Sequence, residues 1–465
     1  MLDQAQVDDL RSHLRGEVIA RGEAGYDAAR RVYNAMIDRY PAVVARCADV
    51  ADVREAVRFG REHDLLVAVR GGGHNGGGLG TCDGGIVIDL SRMRGVRVDP
   101  EARTVRVDGG CTWGDVDHAT HAFGMAAPAG IISTTGVAGL TLGGGIGHLT
   151  RRCGLTIDNL LEADVVLADG RIVTASAARN DDLYWAIRGG GGNFGVVTSF
   201  LFRLHEVAIV TAGPMVWPME QAAEVMQFYR EFIVKAPEEL NGFLALMTVP
   251  PAPPFPAELH MKKMCAIVWC HSGPAAKVED ALRPVRAFSR PAFEFLGQMP
   301  YPRVQSMFDG LYPPGLQWYW KADFVTTLGD KAIAAHVEHG ANLPTMHSTM
   351  HLYPIDGAAH RVSRTATPFA YRDANWAEVI VGVDPSPANR DRIVSWARAY
   401  WDATHPFGAG GAYVNFMMEE DQDRVRASYG ENYDRLVRIK AKYDPANFFR
   451  VNQNIRPAAA HAAGA

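Results

Sequence analysis

Between Arg70 and Gly78 the chain reads Arg70-Gly71-Gly72-Gly73-His74-Asn75-Gly76-Gly77-Gly78, with one histidine set among six glycines. Such a run does not belong inside a helix or a strand, where each glycine gives up the most backbone entropy. It forms a loop whose N–H groups stay free and whose backbone can approach a ligand closely. A glycine-rich loop alone points to a bound phosphate. His74 is the one nucleophilic side chain in this loop, and its presence points to covalent attachment of whatever the loop holds.

The flanking pattern places the loop. Val43–Cys47 reads as a strand, and Asp49 can cap a helix whose Val53, Ala56 and Val57 share one face. Leu65–Val69 reads as a second strand that delivers the loop at its carboxyl end, where open α/β sheets bind ligands. Ile86–Asp89, Val96–Val98 and Thr104–Val107 are further strands, and Asp169-Gly170 predicts a two-residue hairpin between Val165–Ala168 and Arg171–Thr174. Beyond about residue 210 the glycine clusters end, and aromatic residues, methionine and proline rise, with five prolines between Pro250 and Pro256. There Val379, Val381 and Val383 alternate with Glu378, Ile380 and Gly382 as a strand with two distinct faces. From Ser386 onward a helix is expected, with Ile393, Trp396, Ala397 and Tyr400 on one side.

At 465 residues the chain is too long for one compact core, and two or three domains are expected. The net charge is −5 and no basic run interleaves with aromatic residues, which argues against nucleic acid and anionic membranes as partners. Six cysteines without a CxxC pair read as reduced thiols of a cytoplasmic protein, with no metal site. The start of the chain is polar and lacks the apolar core of a secretory signal. Ala122–Gly147 runs 26 residues without a charge, but its eight glycines and one proline suit a buried ligand-binding loop better than a membrane span.

Three further glycine motifs join the first: Gly136-Val-Ala-Gly139 with Gly143-Gly144-Gly145-Ile-Gly147, then Gly189–Gly195, then Gly408–Gly411 ahead of Tyr413-Val414-Asn415. A dinucleotide fingerprint of the Rossmann type fails on context, since no strand-then-helix unit with a following ribose-binding carboxylate is evident. Several such loops beside strands can instead line a long cleft in which backbone amides meet a pyrophosphate.

Taken in order, these motifs resemble the berberine bridge enzyme-like branch of the vanillyl-alcohol-oxidase-type flavoproteins over nearly the whole length. Gly130-Ile-Ile-Ser133-Thr134-Thr135-Gly136 through Gly147, Cys153-Gly-Leu-Thr-Ile-Asp158-Asn159 and Gly192-Asn-Phe-Gly195-Val196-Val197-Thr198 match its FAD loops. Tyr413-Val-Asn415-Phe and Tyr443–Ile455, which includes Asn452, match its C-terminal return. The resemblance implies an α+β fold with a two-subdomain PCMH-type FAD-binding domain (1–210), a substrate domain with an antiparallel β-sheet covered by helices (211–410), and a C-terminal segment (411–465) returning to the FAD domain. It implies FAD contacts from Arg70, Gly71, Gly72, Gly73, His74, Asn75 and Gly76, and from Gly130, Ser133, Thr134, Thr135, Gly136, Gly139, Gly143, Gly144 and Gly145. Asp158, Asn159, Gly195, Val196, Val197, Asn415 and Asn452 complete that set. In the family the loop histidine is bonded to the flavin 8α-methyl, so His74 is the expected anchor. A second thioether link is excluded, because Ile132 stands where relatives carry cysteine; Leu140 stands where they often carry histidine, and Cys153 where tyrosine is common.

The implied activity is hydride removal from a carbon bearing oxygen or nitrogen in a small alcohol, sugar or secondary metabolite, with O2 or another electron acceptor reoxidising the flavin. Such a step needs a proton acceptor. Tyr413, Glu378 and Tyr319 are the candidates, and Met247, Met261, Met264 and Met307 are candidate cavity residues. An NAD-dependent dehydrogenase and a flavin-binding protein without turnover are the competing readings.

Overall fold

A computed structural model of the chain describes residues 2–418 and 420–458. Its first sheet holds β1 (Glu17–Ala20), β2 (Val43–Arg46), β3 (Val67–Arg70) and β4 (Ile86–Asp89) in the order β1-β2-β4-β3. The helix Val50–Glu62 joins β2 to β3 and is capped by the Asp49 carboxylate, which accepts from the Ala51 and Asp52 N–H groups. β4 inserts between β2 and β3 and is parallel to both, so the His74 loop leaves the carboxyl end of an edge strand.

Seven strands follow: β5 (Val96–Asp99), β6 (Thr104–Asp108), β7 (Met125–Ala126), β8 (Leu160–Val166), β9 (Ile172–Ser176), β10 (Val196–Arg203) and β11 (His205–Glu206). Five form an antiparallel sheet ordered β5-β6-β10-β8-β9, and β7 pairs with β11. The β8–β9 hairpin forms at Asp169-Gly170, but with a three-residue loop, closed by Leu167 N–H to the Arg171 carbonyl. The charge-free stretch 122–147 forms β7, a loop and the short helix Val137–Gly143. No described helix is long and apolar enough to cross a membrane.

The third sheet is antiparallel throughout. It comprises β12 (Ile209–Pro218), β13 (Leu240–Thr248), β14 (Lys263–His271), β15 (Phe293–Glu294), β16 (Gly297–Pro300), β17 (Gln317–Val325), β18 (Thr349–Pro354) and β19 (Trp376–Asp384). The order is β15-β12-β14-β13-β18-β19-β17, with β16 also on β12. Side chains alternate between its faces. Leu244, Leu246, Met350, Leu352 and Ile380 share a core with the helices Ala222–Phe232, Asp330–Ala341 and Arg390–Thr404. Phe243, Ala245, Met247, His351, Tyr353, Val379 and Val381 face the other way, into a cavity. Strand β19 is buried on both faces, so its alternation separates two interiors, not an interior from water.

Candidate active site

One cavity of about 360 Å³ runs from the glycine loops to the open face of the third sheet. Its loop end is built by close backbone packing. A Cβ on Gly72 would lie 2.4 Å from the Gly136 nitrogen, and one on Gly136 would lie 2.3 Å from the Gly72 nitrogen, so the first and second loops touch main chain to main chain. Gly71, Gly73, Asn75, Gly130 and Gly139 line the cavity beside them. Gly195, Val197 and Asn452 line it from two other segments.

His74 projects into this junction. Its ring stacks on Tyr33 at 3.9 Å, its Nε2 faces the Thr134 hydroxyl at 3.1 Å and its Nδ1 the Thr135 hydroxyl at 3.5 Å. Burial pushes the imidazole pKa down to about 4, against a smaller opposing effect of a hydrogen bond to Thr134, so His74 is neutral and keeps a ring lone pair at physiological pH. Ring contacts continue from Tyr33 to Trp318 at 5.3 Å, from Trp318 to Trp320 at 5.9 Å and from Trp320 to Phe416 at 6.2 Å. The histidine loop and the third sheet therefore share one wall.

Several expected FAD contacts turn out to support the walls. Arg70 borders the cavity, but its guanidinium is engaged by Asp89 at 2.7 Å and by the Ala29 and Arg31 carbonyls, which anchor the base of the loop. Asp158 lies outside the cavity and pairs with Arg372 through two bonds of 2.7 and 2.8 Å. Asn159 bonds the Cys153 and Leu155 carbonyls and faces His205. The Ser133 N–H and hydroxyl are held by Asp309, and the Val196 side chain packs in the core below β3 and β4. Gly76 abuts Trp320 and Met418. Gly143 and Gly144 leave room for Asn415 and Tyr413: a Cβ on Gly143 would meet the Asn415 side chain at 2.2 Å. Gly145 donates its N–H to the Tyr413 hydroxyl at 2.7 Å.

The three candidate bases fare differently. Tyr413 lines the cavity, and its hydroxyl accepts from Gly145 N–H and from Asn415 Nδ2, each at 2.7 Å. Burial nevertheless drives its pKa up to about 12, so the depressed pKa that a tyrosine base requires is not met. Glu378 is on the far face of β19, where its carboxyl accepts from Thr404 at 3.2 Å and lies 3.9 Å from His336. Tyr319 is on the far face of β17, its hydroxyl accepting from Arg398 at 2.9 Å. Alternation predicted the strand around Glu378, but strand parity alone does not tell which face meets the ligand. Of the four methionines, Met247 lines the cavity, whereas Met261 is 56% exposed.

Two residues at the sheet end were not foreseen. His351 and Tyr353 both line the cavity from β18, with Nδ1 and the hydroxyl 2.6 Å apart. Their i, i+2 spacing was the available signal. His148 is buried beside Phe243 and outside the cavity lining.

The loop end fits a polar dinucleotide. The Asn452 Oδ1 and the Tyr429 hydroxyl are buried there without a hydrogen-bond partner among the described residues, an arrangement that costs stability unless a ligand supplies one. Comparisons agree with that fit. The FAD binding domain family model matches residues 41–176, and the model described as Berberine and berberine like matches residues 412–456. An FAD-linked oxidoreductase of Dictyostelium discoideum is 30% identical over 456 residues, spanning 97% of each chain. (R)-6-hydroxynicotine oxidase of Paenarthrobacter nicotinovorans is 29% identical over 96% of this chain and 97% of its own. Among solved structures, 6-hydroxy-D-nicotine oxidase from Arthrobacter nicotinovorans superposes with a TM-score of 0.86 at 26% identity, covering 95% of this chain and 98% of the other. The BBE-like 1 protein of Physcomitrella patens shares the fold at a TM-score of 0.86 and 24% identity, covering 98% of this chain and 100% of its own. With its glycine-walled cavity and full-length relatives, the chain belongs to the berberine bridge enzyme-like FAD-linked oxidoreductases.

Proposed function

We propose that this protein oxidises a small organic alcohol or related molecule with FAD linked covalently to His74 and molecular oxygen as the final acceptor. The observation that carries the reading is the single cavity in which a neutral, nucleophilic His74 stands between glycine backbone at one end and an aromatic compartment at the other. Bound FAD supplies the hydride acceptor. Gly71–Gly73, Gly136 and Gly139 would hold the cofactor's phosphates and ring through backbone groups. Asn452 Oδ1 and the Tyr429 hydroxyl would gain the partners they lack. Asn415 donates to the Leu140 carbonyl at 3.0 Å and to Tyr413, and so fixes the return segment against the second loop. Ile132 lines the cavity and offers no thiol, which supports a single covalent link. The oxidase name of (R)-6-hydroxynicotine oxidase supports oxygen as acceptor.

A division at about residues 210 and 410 follows from the same reading. The third sheet spans 209–384, and the return segment reaches the first half of the chain through Lys440, which donates to the Asn193 carbonyl. The last residues of the 411–465 segment lie outside the described residues.

The test is acid precipitation of the purified protein followed by its visible spectrum. Yellow colour retained in the pellet, and released to the supernatant by His74→Ala, is the expected result. Colour released from the unsubstituted protein overturns the covalent link. A protein that neither carries nor takes up FAD overturns the flavoenzyme reading. Hydrogen peroxide formed under air with an oxidised substrate checks the acceptor.

A further inference from the structure

The walls of the sheet end are mostly apolar, with Phe243, Met247, Phe308, Trp318, Met346 and Val381, and the Ser348, Thr349 and Tyr312 hydroxyls beside them are engaged by main-chain carbonyls. Among the described residues lining the cavity there is no aspartate, glutamate or lysine, and the one arginine, Arg70, is at the loop end and engaged by Asp89. A carboxylate or ammonium group placed there would be buried without a counter-charge, and a polyol would bury several hydroxyls with too few partners. The polar groups that remain open there are the indole Nε1 atoms of Trp318 and Trp320, which have no partner among the described residues, and the pair His351 and Tyr353. The imidazole Nδ1 lies 2.6 Å from the tyrosine hydroxyl, and Nε2 makes no hydrogen bond to any described residue. The aromatic neighbours Phe243 and Phe416 hold the pair in place: Phe243 is 5.2 Å from each ring, and Phe416 is 5.7 Å from Tyr353. Burial keeps His351 neutral, with a pKa of about 3. With Nδ1 paired to the Tyr353 hydroxyl, Nε2 is the ring nitrogen left to hydrogen-bond one ligand hydroxyl.

We propose that this compartment selects an uncharged, largely aromatic molecule bearing a hydroxyl, and that His351, oriented by Tyr353, is the specificity-determining residue that hydrogen-bonds the hydroxyl. The proposal rests on the flavoenzyme reading above, and it narrows the substrate to hydroxylated aromatics in place of sugars, acids or protonated amines.

The experiment is calorimetric titration of the purified yellow protein with probes that need not turn over: phenol, toluene, benzoate, benzylammonium and cellobiose. Phenol is expected to bind about tenfold more tightly than toluene, with the two ions and the disaccharide at least thirtyfold weaker than phenol. His351→Leu is expected to abolish the preference for phenol over toluene while toluene binding stays within about twofold. His351→Gln, which restores a hydrogen-bonding group, should recover part of it. Tyr353→Phe leaves the imidazole present but unoriented, and should reduce the preference severalfold, which keeps the test valid if the leucine variant does not fold. Benzoate, benzylammonium or cellobiose binding as tightly as phenol overturns the proposal, as does a phenol preference unchanged in both His351→Leu and Tyr353→Phe. The two readings fail separately: a yellow protein that fails these titrations loses only the substrate class, whereas a colourless protein that takes up no FAD loses the flavoenzyme reading.

Discussion

Replacing Lys440 by methionine should cost the protein about 3–5 kcal/mol of stability, the range for removing one partner of a buried ion pair. Lys440 and Asp444 are both fully buried, and the ammonium makes three bonds: to Asp444 at 2.6 Å, to the Asn193 carbonyl at 2.7 Å and to the Phe449 carbonyl at 2.9 Å. Methionine keeps most of the apolar stem but leaves two carbonyls without this donor and a carboxylate without its cation. Asp444 would retain the Phe448 and Phe449 N–H groups at 2.8 and 2.9 Å, which limits the loss. The Phe449 carbonyl keeps the Asn452 Nδ2 donor at 3.0 Å, so one acceptor is orphaned, at about 1–3 kcal/mol, and the stranded carboxylate supplies the rest of the range. Urea unfolding followed by tryptophan fluorescence measures the change. The double variant Lys440→Met with Asp444→Asn, which removes the stranded charge, should be at least about 1 kcal/mol more stable than Lys440→Met, a fraction of the ion-pair range. A loss below about 1 kcal/mol, far short of that range, or a double variant no better than the single one would refute the reasoning.

Glu378 bears on pH. Burial, with a contribution from Asp323, raises its pKa to about 8, so the folded carboxyl stays protonated where the unfolded one has ionised. The stability it contributes is therefore full below about pH 4.5 and lost as pH climbs to about 8, and Glu378→Gln should gain on the order of 2–4 kcal/mol over the parent at pH 8 relative to pH 5. Melting curves at the two pH values check this, and turnover should be unchanged because the side chain faces the helices. Gly72→Ala places a methyl 2.4 Å from backbone nitrogen, should cost about 1–3 kcal/mol by overpacking, and should lower the flavin-to-protein ratio of the purified protein. Tyr413→Phe removes the acceptor of the Gly145 and Asn415 N–H groups, should cost about 1–3 kcal/mol, and should leave the pH profile of turnover in place, since a phenol with a pKa near 12 is not its base. A shifted profile would return Tyr413 to the base role.

The loop end was readable because glycine signals act locally. The approach of Gly72 to Gly136 is possible for almost no other residue, and the helix after Asp49 announces itself through its cap. The secondary structure around Val379 was equally plain from alternation. What alternation withholds is direction. Glu378 and Val379 are adjacent, yet one meets Thr404 and the other the cavity, a choice made by the helix Arg390–Thr404 packing on one face. The partners of Arg70, Asp158 and Asn159 were out of reach for a related reason: polar residues in a ligand loop can serve the loop itself, and Asp89, Arg372 and His205 are 19, 214 and 46 residues away. His351 was hidden because its meaning depends on Tyr353 and on two aromatic rings from distant strands and loops.

The two-interior character of the third sheet has a consequence for how such a protein can change over time. Residues that pack against the helices and residues that face the cavity alternate along the same strands and fall in separate core clusters. Substitutions at Phe243, Met247, His351 and Val381 can therefore be sampled against a scaffold held by Leu244, Leu246, Met350 and Ile380. Effects at sites without shared contacts tend to add, so new specificities could accumulate one residue at a time without passing through unfolded intermediates in sequence space.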